Sequence, residues 1–256
     1  SFYYIVLEYV DGMALDKLLK KREKLTSPIT MLILRDTCNA LKYAHEKGII
    51  HRDIKPGNIF VSEFSEYKLG DFGISREVEK TNATMSQKGT KSYMAPEMIK
   101  LEKTYDHTVD IYALGLTMYE LLNHGRMPFL PLYPQPFFPQ EKEEAILKRL
   151  SGQVFPNIDG IGDLNAIIKK ACHPNKQERY QSASEMKKDL LSLNLDNKTL
   201  PQETFVNETT QSLFNNEVTM GLQSSFEEKT MGVFDDKPKN GFIFEEVSSC
   251  IRESDT

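Results

Sequence analysis

The sequence predicts an α+β fold in which helices dominate. A run rich in β-branched and aromatic residues, Phe2–Val10, opens the chain and is typical of a strand. Several later stretches place apolar residues at helical spacing, and the prolines lie mostly between these stretches. From Asp196 the periodicity ends and Asn, Thr, Ser, Glu and Asp become frequent, which predicts a disordered tail.

The helices can be placed from their caps and apolar faces. Ser27 is a candidate cap, Pro28 suits the first helical position, and Gly48 ends this helix. Asp11-Gly12 predicts a turn, and the five prolines of 127–139 exclude regular structure there. The remaining predicted helices are Thr104–Asn123, which is apolar on nearly every side, and the amphipathic Glu141–Leu150, Asp163–Cys172 and Ser182–Leu193.

Charge and cysteine content exclude several classes of protein. The net charge of −5 is unevenly distributed. Residues 196–256 contain 5 Lys/Arg and 12 Asp/Glu, whereas residues 1–195 contain 27 Lys/Arg and 25 Asp/Glu. So small an excess of positive charge in residues 1–195 does not favour nucleic-acid binding. Three distant cysteines in 256 residues indicate a reducing compartment, and we expect a cytoplasmic location. No apolar run approaches the roughly 18–20 residues of a membrane span.

Three motifs carry the chemistry. They are His-Arg-Asp-Ile-Lys-Pro-Gly-Asn at 51–58, Asp-Phe-Gly at 71–73 and Met-Ala-Pro-Glu at 94–97. In this order and spacing the set resembles the catalytic loop, metal-binding motif and activation segment of eukaryotic-like (Hanks-type) serine/threonine protein kinases. The lysine two residues after Asp53 is typical of the serine/threonine class, and the stretches around Asp110 and Arg179 resemble bacterial members.

The resemblance implies a role for each motif residue in phosphoryl transfer from ATP. This reaction needs positioning and charge neutralisation more than covalent chemistry. Asp53 is expected to orient the proton of the attacking hydroxyl, and Lys55 to place its charge on the phosphoryl group. Asn58 and Asp71 are expected to supply oxygen ligands for Mg²⁺. For His51 we favour a packing role. The alternative interpretation of the whole set is that these are ordinary polar residues of a loop.

Other positions follow from the same resemblance. Glu8 and Val10 correspond to the hinge whose backbone meets adenine, and Leu15 and Phe60 are expected to enclose the adenine ring. A plain core role for Leu15 and Phe60 is an equal alternative. Asp110 is expected to accept backbone N–H groups of the catalytic loop. Glu97 and Arg179 are expected to form a buried pair.

The resemblance covers about Phe2 to Leu193 and divides the chain into three parts. Residues 1–10 are expected to form a last N-lobe strand and hinge, 11–195 the mainly helical C-terminal lobe, and 196–256 the acidic tail. Because no glycine-rich loop or strand lysine precedes Ser1, we expect a kinase fragment with most of its N-terminal lobe absent and little activity alone. The alternatives are a pseudokinase or binding module, and an interaction domain built on the proline-rich loop.

Two regulatory regions are also expected. Arg52 precedes Asp53 and is suited to pair with a phosphate on Thr81, Thr84 or Ser86 of the activation segment. The tail repeats the pattern Glu-x-Thr at Thr210, Thr219 and Thr230. Phosphorylated there, it could bind a forkhead-associated domain, which reads phosphothreonine through arginine. The alternative is an acidic linker whose repeat is coincidental.

Overall fold

The computed structural model describes residues 8–22, 24–62, 66–72, 90–100 and 105–193. Among them, Glu8 and Tyr9 belong to one compact unit and the residues from Val10 onward to another. The larger unit is mainly helical, as the sequence predicts, and carries one small sheet. The predicted strand of residues 2–7 and the predicted disorder of 196–256 lie outside the described residues.

Seven α-helices and three strands make up the described part of the larger unit. The helices are α1 (Leu15–Arg22), α2 (Ser27–Glu46), α3 (Pro96–Ile99), α4 (Thr108–Leu122), α5 (Pro139–Leu150), α6 (Leu164–Ala171) and α7 (Ala183–Ser192). The strands are β1 (Gly12–Ala14), β2 (Ile59–Ser62) and β3 (Tyr67–Leu69). They form an antiparallel sheet in the order β1-β2-β3, in which Met13 pairs with Val61 and Phe60 with Lys68.

The predicted turn at Asp11-Gly12 is wrong, because Gly12 begins β1 and pairs with Ser62. Glycine is needed there for close approach rather than for a turn. A Cβ on Gly12 would lie 2.1 Å from the carbonyl oxygen of Val61, which no other residue tolerates. Helix α1 follows β1 directly and was not among the predicted helices.

Helix α4 is the centre of the molecule. All of its residues except Glu120 are buried, as expected of a helix that is apolar on nearly every side. Helices α2 and α6 pack against it, α7 packs against α2 and α6, and all four share one hydrophobic core. Gly115 permits the close approach of α6, since a Cβ there would lie 2.6 Å from Cys172 Sγ. A second core under the sheet joins β1, α1 and β2 to Ile33 and Leu121.

Several predicted helix boundaries are shifted by a few residues. Helix α4 begins at Thr108 rather than Thr104, because Asp106 accepts the backbone N–H of Thr108 at 3.0 Å ahead of the first turn. Thr26, not Ser27, is the cap of α2. Ser182 caps α7, and Asp163 and Cys172 flank α6, so their predicted ranges were one residue too long at each end. No helix in the described ranges is long and apolar enough to cross a membrane.

Candidate active site

The loop between α2 and β2 carries four of the predicted site residues, Arg52, Asp53, Lys55 and Asn58. It runs from Lys47 to a 3₁₀ turn at Pro56–Asn58 and contains Arg52 in a left-handed backbone conformation, with φ of 68°. Such a conformation costs a non-glycine residue about 1–3 kcal/mol and persists only where neighbouring groups hold it. The loop therefore depends on contacts from elsewhere in the fold.

Asp110 of α4 supplies those contacts. Its side chain is fully buried, and its two carboxylate oxygens accept the backbone N–H groups of His51 at 2.8 Å and Arg52 at 2.7 Å. His45 Nε2 donates to the same carboxylate at 2.9 Å. Three donors offset the cost of burying this charge, and two of them fix the strained loop. The expected role of Asp110 is confirmed.

His51 is a packing residue in this loop. Its Nε2 lies 2.9 Å from the carbonyl oxygen of Gly70, and its ring contacts Phe72 at 4.6 Å between centroids. Because a carbonyl only accepts, Nε2 carries the proton and Nδ1 accepts the backbone N–H of Asp53 at 3.3 Å. Burial lowers the pKa of His51, which keeps the ring neutral. Both ring nitrogens are engaged, so His51 has no basic nitrogen to offer a substrate.

Asp53, Lys55 and Asn58 form one hydrogen-bonded cluster. Lys55 Nζ donates to Asp53 Oδ2 at 2.7 Å, and both side chains remain about a quarter exposed, at 28% and 22%. Asn58 is buried, and its Nδ2 donates to the Asp53 carbonyl at 2.8 Å and carboxylate at 3.0 Å. Because Nδ2 makes both of these hydrogen bonds, Asn58 offers its side-chain oxygen as the acceptor atom. The carboxylate of Asp53, the ammonium of Lys55 and the amide of Asn58 are thus held together within a short stretch of the loop.

Asp71 follows β3 at the end of this region. It is exposed and has a φ of 55°, so its backbone is held in a conformation unusual for aspartate. Phe72, packed on His51, and the Gly70 N–H, bonded to the Asn58 carbonyl at 2.9 Å, fix the chain on either side. Gly73, expected to complete this turn, lies outside the described residues.

The donor set at Asn58 and Asp71 fits a magnesium ion. An amide oxygen and a carboxylate are hard oxygen ligands, and Mg²⁺ takes a few such ligands and completes its shell with water and phosphate. Within the described ranges no group of three or more His, Cys, Asp or Glu residues could hold a metal by itself.

The two expected adenine contacts differ. Leu15 is fully buried in the core under the sheet, with Leu18 and Ile33, which favours its core role, and its adenine contact stays a prediction. Phe60 is half-buried on β2, and its ring lies against Gly70, where a Cβ would be 2.8 Å away. Phe60 thus lies beside the segment that carries Asp71. Glu8 is exposed and Val10 is half-buried, and they belong to different units.

The segment at 90–97 contributes two further contacts. Glu97 and Arg179 form the expected buried pair, with two hydrogen bonds of 2.6 and 2.8 Å. Arg179 also donates to the His173 carbonyl at 2.7 Å. The contact between Tyr93 Oη and Glu120 Oε2, at 2.5 Å, was not expected. Glu120 is one of two carboxylates in this apolar helix, and that was the signal that could have found the contact.

The predicted regulatory residues are only partly described. The Arg52 guanidinium lies 5.7 Å from the centre of the Tyr105 ring. Thr81, Thr84 and Ser86 lie outside the described residues, as do Thr210, Thr219 and Thr230. Their roles stay predictions.

The fold and this loop define the class of protein. The model of the protein kinase domain family matches residues 1–191, and the chain belongs to this family. Among similar proteins are the "Serine/threonine-protein kinase PknB" of Mycolicibacterium smegmatis, 37% identical over 194 residues, and that of Mycobacterium tuberculosis, 35% identical over 193. The "Probable serine/threonine-protein kinase PknB" of Bifidobacterium longum is 38% identical over 193 residues.

These similarities span 73–74% of this chain but only 27–30% of each relative. The expected likeness to bacterial serine/threonine kinases is confirmed.

Proposed function

We propose that this protein transfers the γ-phosphoryl group of Mg-ATP to serine and threonine hydroxyls of protein substrates, as a serine/threonine protein kinase. The observation that carries the proposal is the cluster of Asp53, Lys55 and Asn58, joined by hydrogen bonds of 2.7–3.0 Å. The names of the similar bacterial proteins support it.

Each residue of the cluster has a chemical task. Asp53 accepts hydrogen bonds from Lys55 and Asn58, and its exposed edge can orient the hydroxyl of a substrate and take up its proton. Lys55 already lies within 2.7 Å of Asp53, so its ammonium can offset negative charge on a phosphoryl group brought next to that carboxylate. Buried Asn58 keeps the carboxylate from rotating.

Asn58 and Asp71 would hold Mg²⁺ through their side-chain oxygens. The metal, when bound, neutralises charge on the phosphates of ATP. Backbone groups of Val10 and the ring of Phe60 are the proposed contacts of the adenine, and the expected contact of Glu8 stays a prediction. Leu15 takes no part in this proposal, because it has no exposed surface.

A pseudokinase or binding module is the second candidate. A fold that only binds has no physical need for a lysine–aspartate–asparagine cluster left partly open to solvent. The hydrogen bonds of Asp110 would hold the loop in either case, so Asp110 does not discriminate between the two candidates.

We extend the proposal to location and partners. ATP chemistry and the free, buried Cys38 and Cys172 favour a cytoplasmic site of action. The substrates are proteins with serine or threonine. The repeats at Thr210, Thr219 and Thr230 are proposed as phosphorylation sites that bind a forkhead-associated partner.

The test is phosphoryl transfer to dephosphorylated casein by the protein expressed with whatever sequence precedes Ser1 in its gene. Asp53→Asn and Asp71→Asn should each lower the Mg²⁺-dependent rate by about 100-fold or more, because each removes a charge required by the reaction. Asp159→Asn, which changes an exposed carboxylate on a distant turn, should retain the wild-type rate. Near-normal transfer by Asp53→Asn would overturn the assignment, and an inactive wild-type protein would favour the pseudokinase.

A further inference from the structure

Helix α5 buries an arginine in an otherwise exposed surface. Only Ala145 and Arg149 of this helix are buried, and Arg149 is 3% exposed. Within the part of the chain that the structure describes, no carboxylate lies within ion-pair distance of its guanidinium. A buried charge of this kind is costly unless its donors are satisfied. Its contacts therefore indicate why it is there.

The guanidinium of Arg149 binds backbone carbonyls. One terminal nitrogen donates to the carbonyl of Ser92 and the other to that of Lys91, at 3.3 Å for the latter. Both carbonyls belong to the 3₁₀ turn Thr90–Ser92, which directly precedes Tyr93. The planar fork of arginine presents donors on two nitrogens to two neighbouring acceptors, a geometry that lysine, with all its donors on one nitrogen, does not match.

Two buried arginines hold residues 91–97, one at each end of the segment. The ring of Tyr112 on α4 lies 5.9 Å from the Arg149 guanidinium and 4.8 Å from that of Arg179. Arg149 holds the beginning of the segment through two carbonyls, and Arg179 holds its end through the carboxylate of Glu97. Two buried arginines packed against one tyrosine thus fix both ends.

The middle of the segment packs on the core next to the catalytic loop: Tyr93 lies against the hydrophobic cluster that contains Ala95 and Ile54, the neighbour of Asp53. Tyr93 donates to Glu120 at 2.5 Å. Burial raises the pKa of Tyr93, and the charge and hydrogen bond of Glu120 raise it further. A shift of the backbone at Lys91 and Ser92 would move Tyr93 and the chain that packs beside Ile54.

The space beside Arg149 is small. The adjoining cavity, between Ser92, Leu130 and Ile146, has a volume of about 10 Å³. That is room for about one water molecule and not for the side chain of a substrate. Arg149 therefore acts through the backbone that it holds.

We propose that Arg149 is a positioning residue for the protein substrate, holding the Lys91–Ser92 backbone so that the segment beside Asp53 can receive the substrate chain. This inference rests on the proposed kinase activity.

The test compares Arg149→Met, Arg149→Lys and wild type in steady-state transfer to dephosphorylated casein, with thermal unfolding measured alongside. Lys148→Met is the matched control, since it removes the same charge from the exposed face of the same helix. Arg149→Met should raise KM for casein about tenfold, or about 1.4 kcal/mol of binding, with KM for ATP within about twofold. Arg149→Lys should be intermediate, because one carbonyl keeps a donor, and Lys148→Met should match wild type.

The outcomes separate the two proposals. A wild type without transfer overturns the kinase and this inference together. An active wild type with unchanged KM for casein in both Arg149 variants overturns this inference alone. Equal losses in kcat and in affinity for ATP and casein would indicate a merely structural role and also overturn it. If Arg149→Met does not fold, Arg149→Lys is assayed well below its unfolding temperature instead. The change in its KM for casein is then compared with the change in its KM for ATP.

Discussion

Replacing Glu120 with glutamine should remove a pH dependence from the stability of the protein. Burial raises the pKa of Glu120 from 4.5 to about 7, against the opposing effects of the Tyr93 hydrogen bond and of Lys142. The folded protein therefore binds more protons than the unfolded chain between these pH values, and its free energy of unfolding falls as pH rises through them. At about 1.4 kcal/mol per pKa unit, the loss attributable to Glu120 is about 3 kcal/mol.

The assay is urea unfolding of wild type and Glu120→Gln at intervals from pH 4.5 to pH 8. Glutamine keeps an oxygen that can accept from Tyr93, so the two proteins should be similarly stable at the acidic end. At pH 8 the variant should be more stable by about 3 kcal/mol. His51 and other titrating groups are present in both proteins, so their effects cancel in the difference. A difference that does not change with pH would refute the reasoning.

Three further predictions concern the buried pair and the two regulatory regions. Arg179→Met leaves the buried carboxylate of Glu97 unpaired and should lower the free energy of unfolding by about 3–5 kcal/mol, and the double variant with Glu97→Met should recover part of this. Equal losses by urea unfolding in the single and double variants would contradict it. Phosphorylation of Thr81, Thr84 or Ser86 should raise activity by pairing with Arg52, and active protein without phosphate there by mass spectrometry would exclude this. Incubation with Mg-ATP should also label Thr210, Thr219 and Thr230, and an unmodified tail beside a labelled activation segment would disprove the proposed docking role.

The sequence predicted best what depends on neighbours along the chain. Helix α2 was placed from Pro28 and Gly48, and α4 from its run of apolar residues, with boundaries shifted by at most four residues. The cluster of Asp53, Lys55 and Asn58 spans only six residues, so the short motif already brings the three groups together. Local periodicity and motif spacing are sufficient for such features.

Contacts between distant parts of the chain were predicted only where a known family pattern supplied them. Asp110 and Arg179 were found in this way, although 58–82 residues separate them from their partners. Arg149 has no such pattern: its sequence neighbours predict an exposed position on an amphipathic helix, and its burial depends on where the 90–92 turn lies. The burial of Leu15 could not be predicted for the same reason, because the packing of α1 under the sheet, and not its place in a motif, decides its exposure.

The residues proposed for catalysis lie on irregular chain, and buried charges on other elements hold that chain in place. Arg52 and Asp71 have positive φ values, which cost free energy that loops cannot recover from their own hydrogen bonds. Asp110 on α4 binds the loop at His51 and Arg52, while Arg149 on α5 and Arg179 before α7 bind residues 91–97. All three bind through pairs of hydrogen bonds, which fix orientation as well as distance. Buried charge costs stability in a core, and here three such charges hold the loop that carries Asp53 and the segment at 91–97.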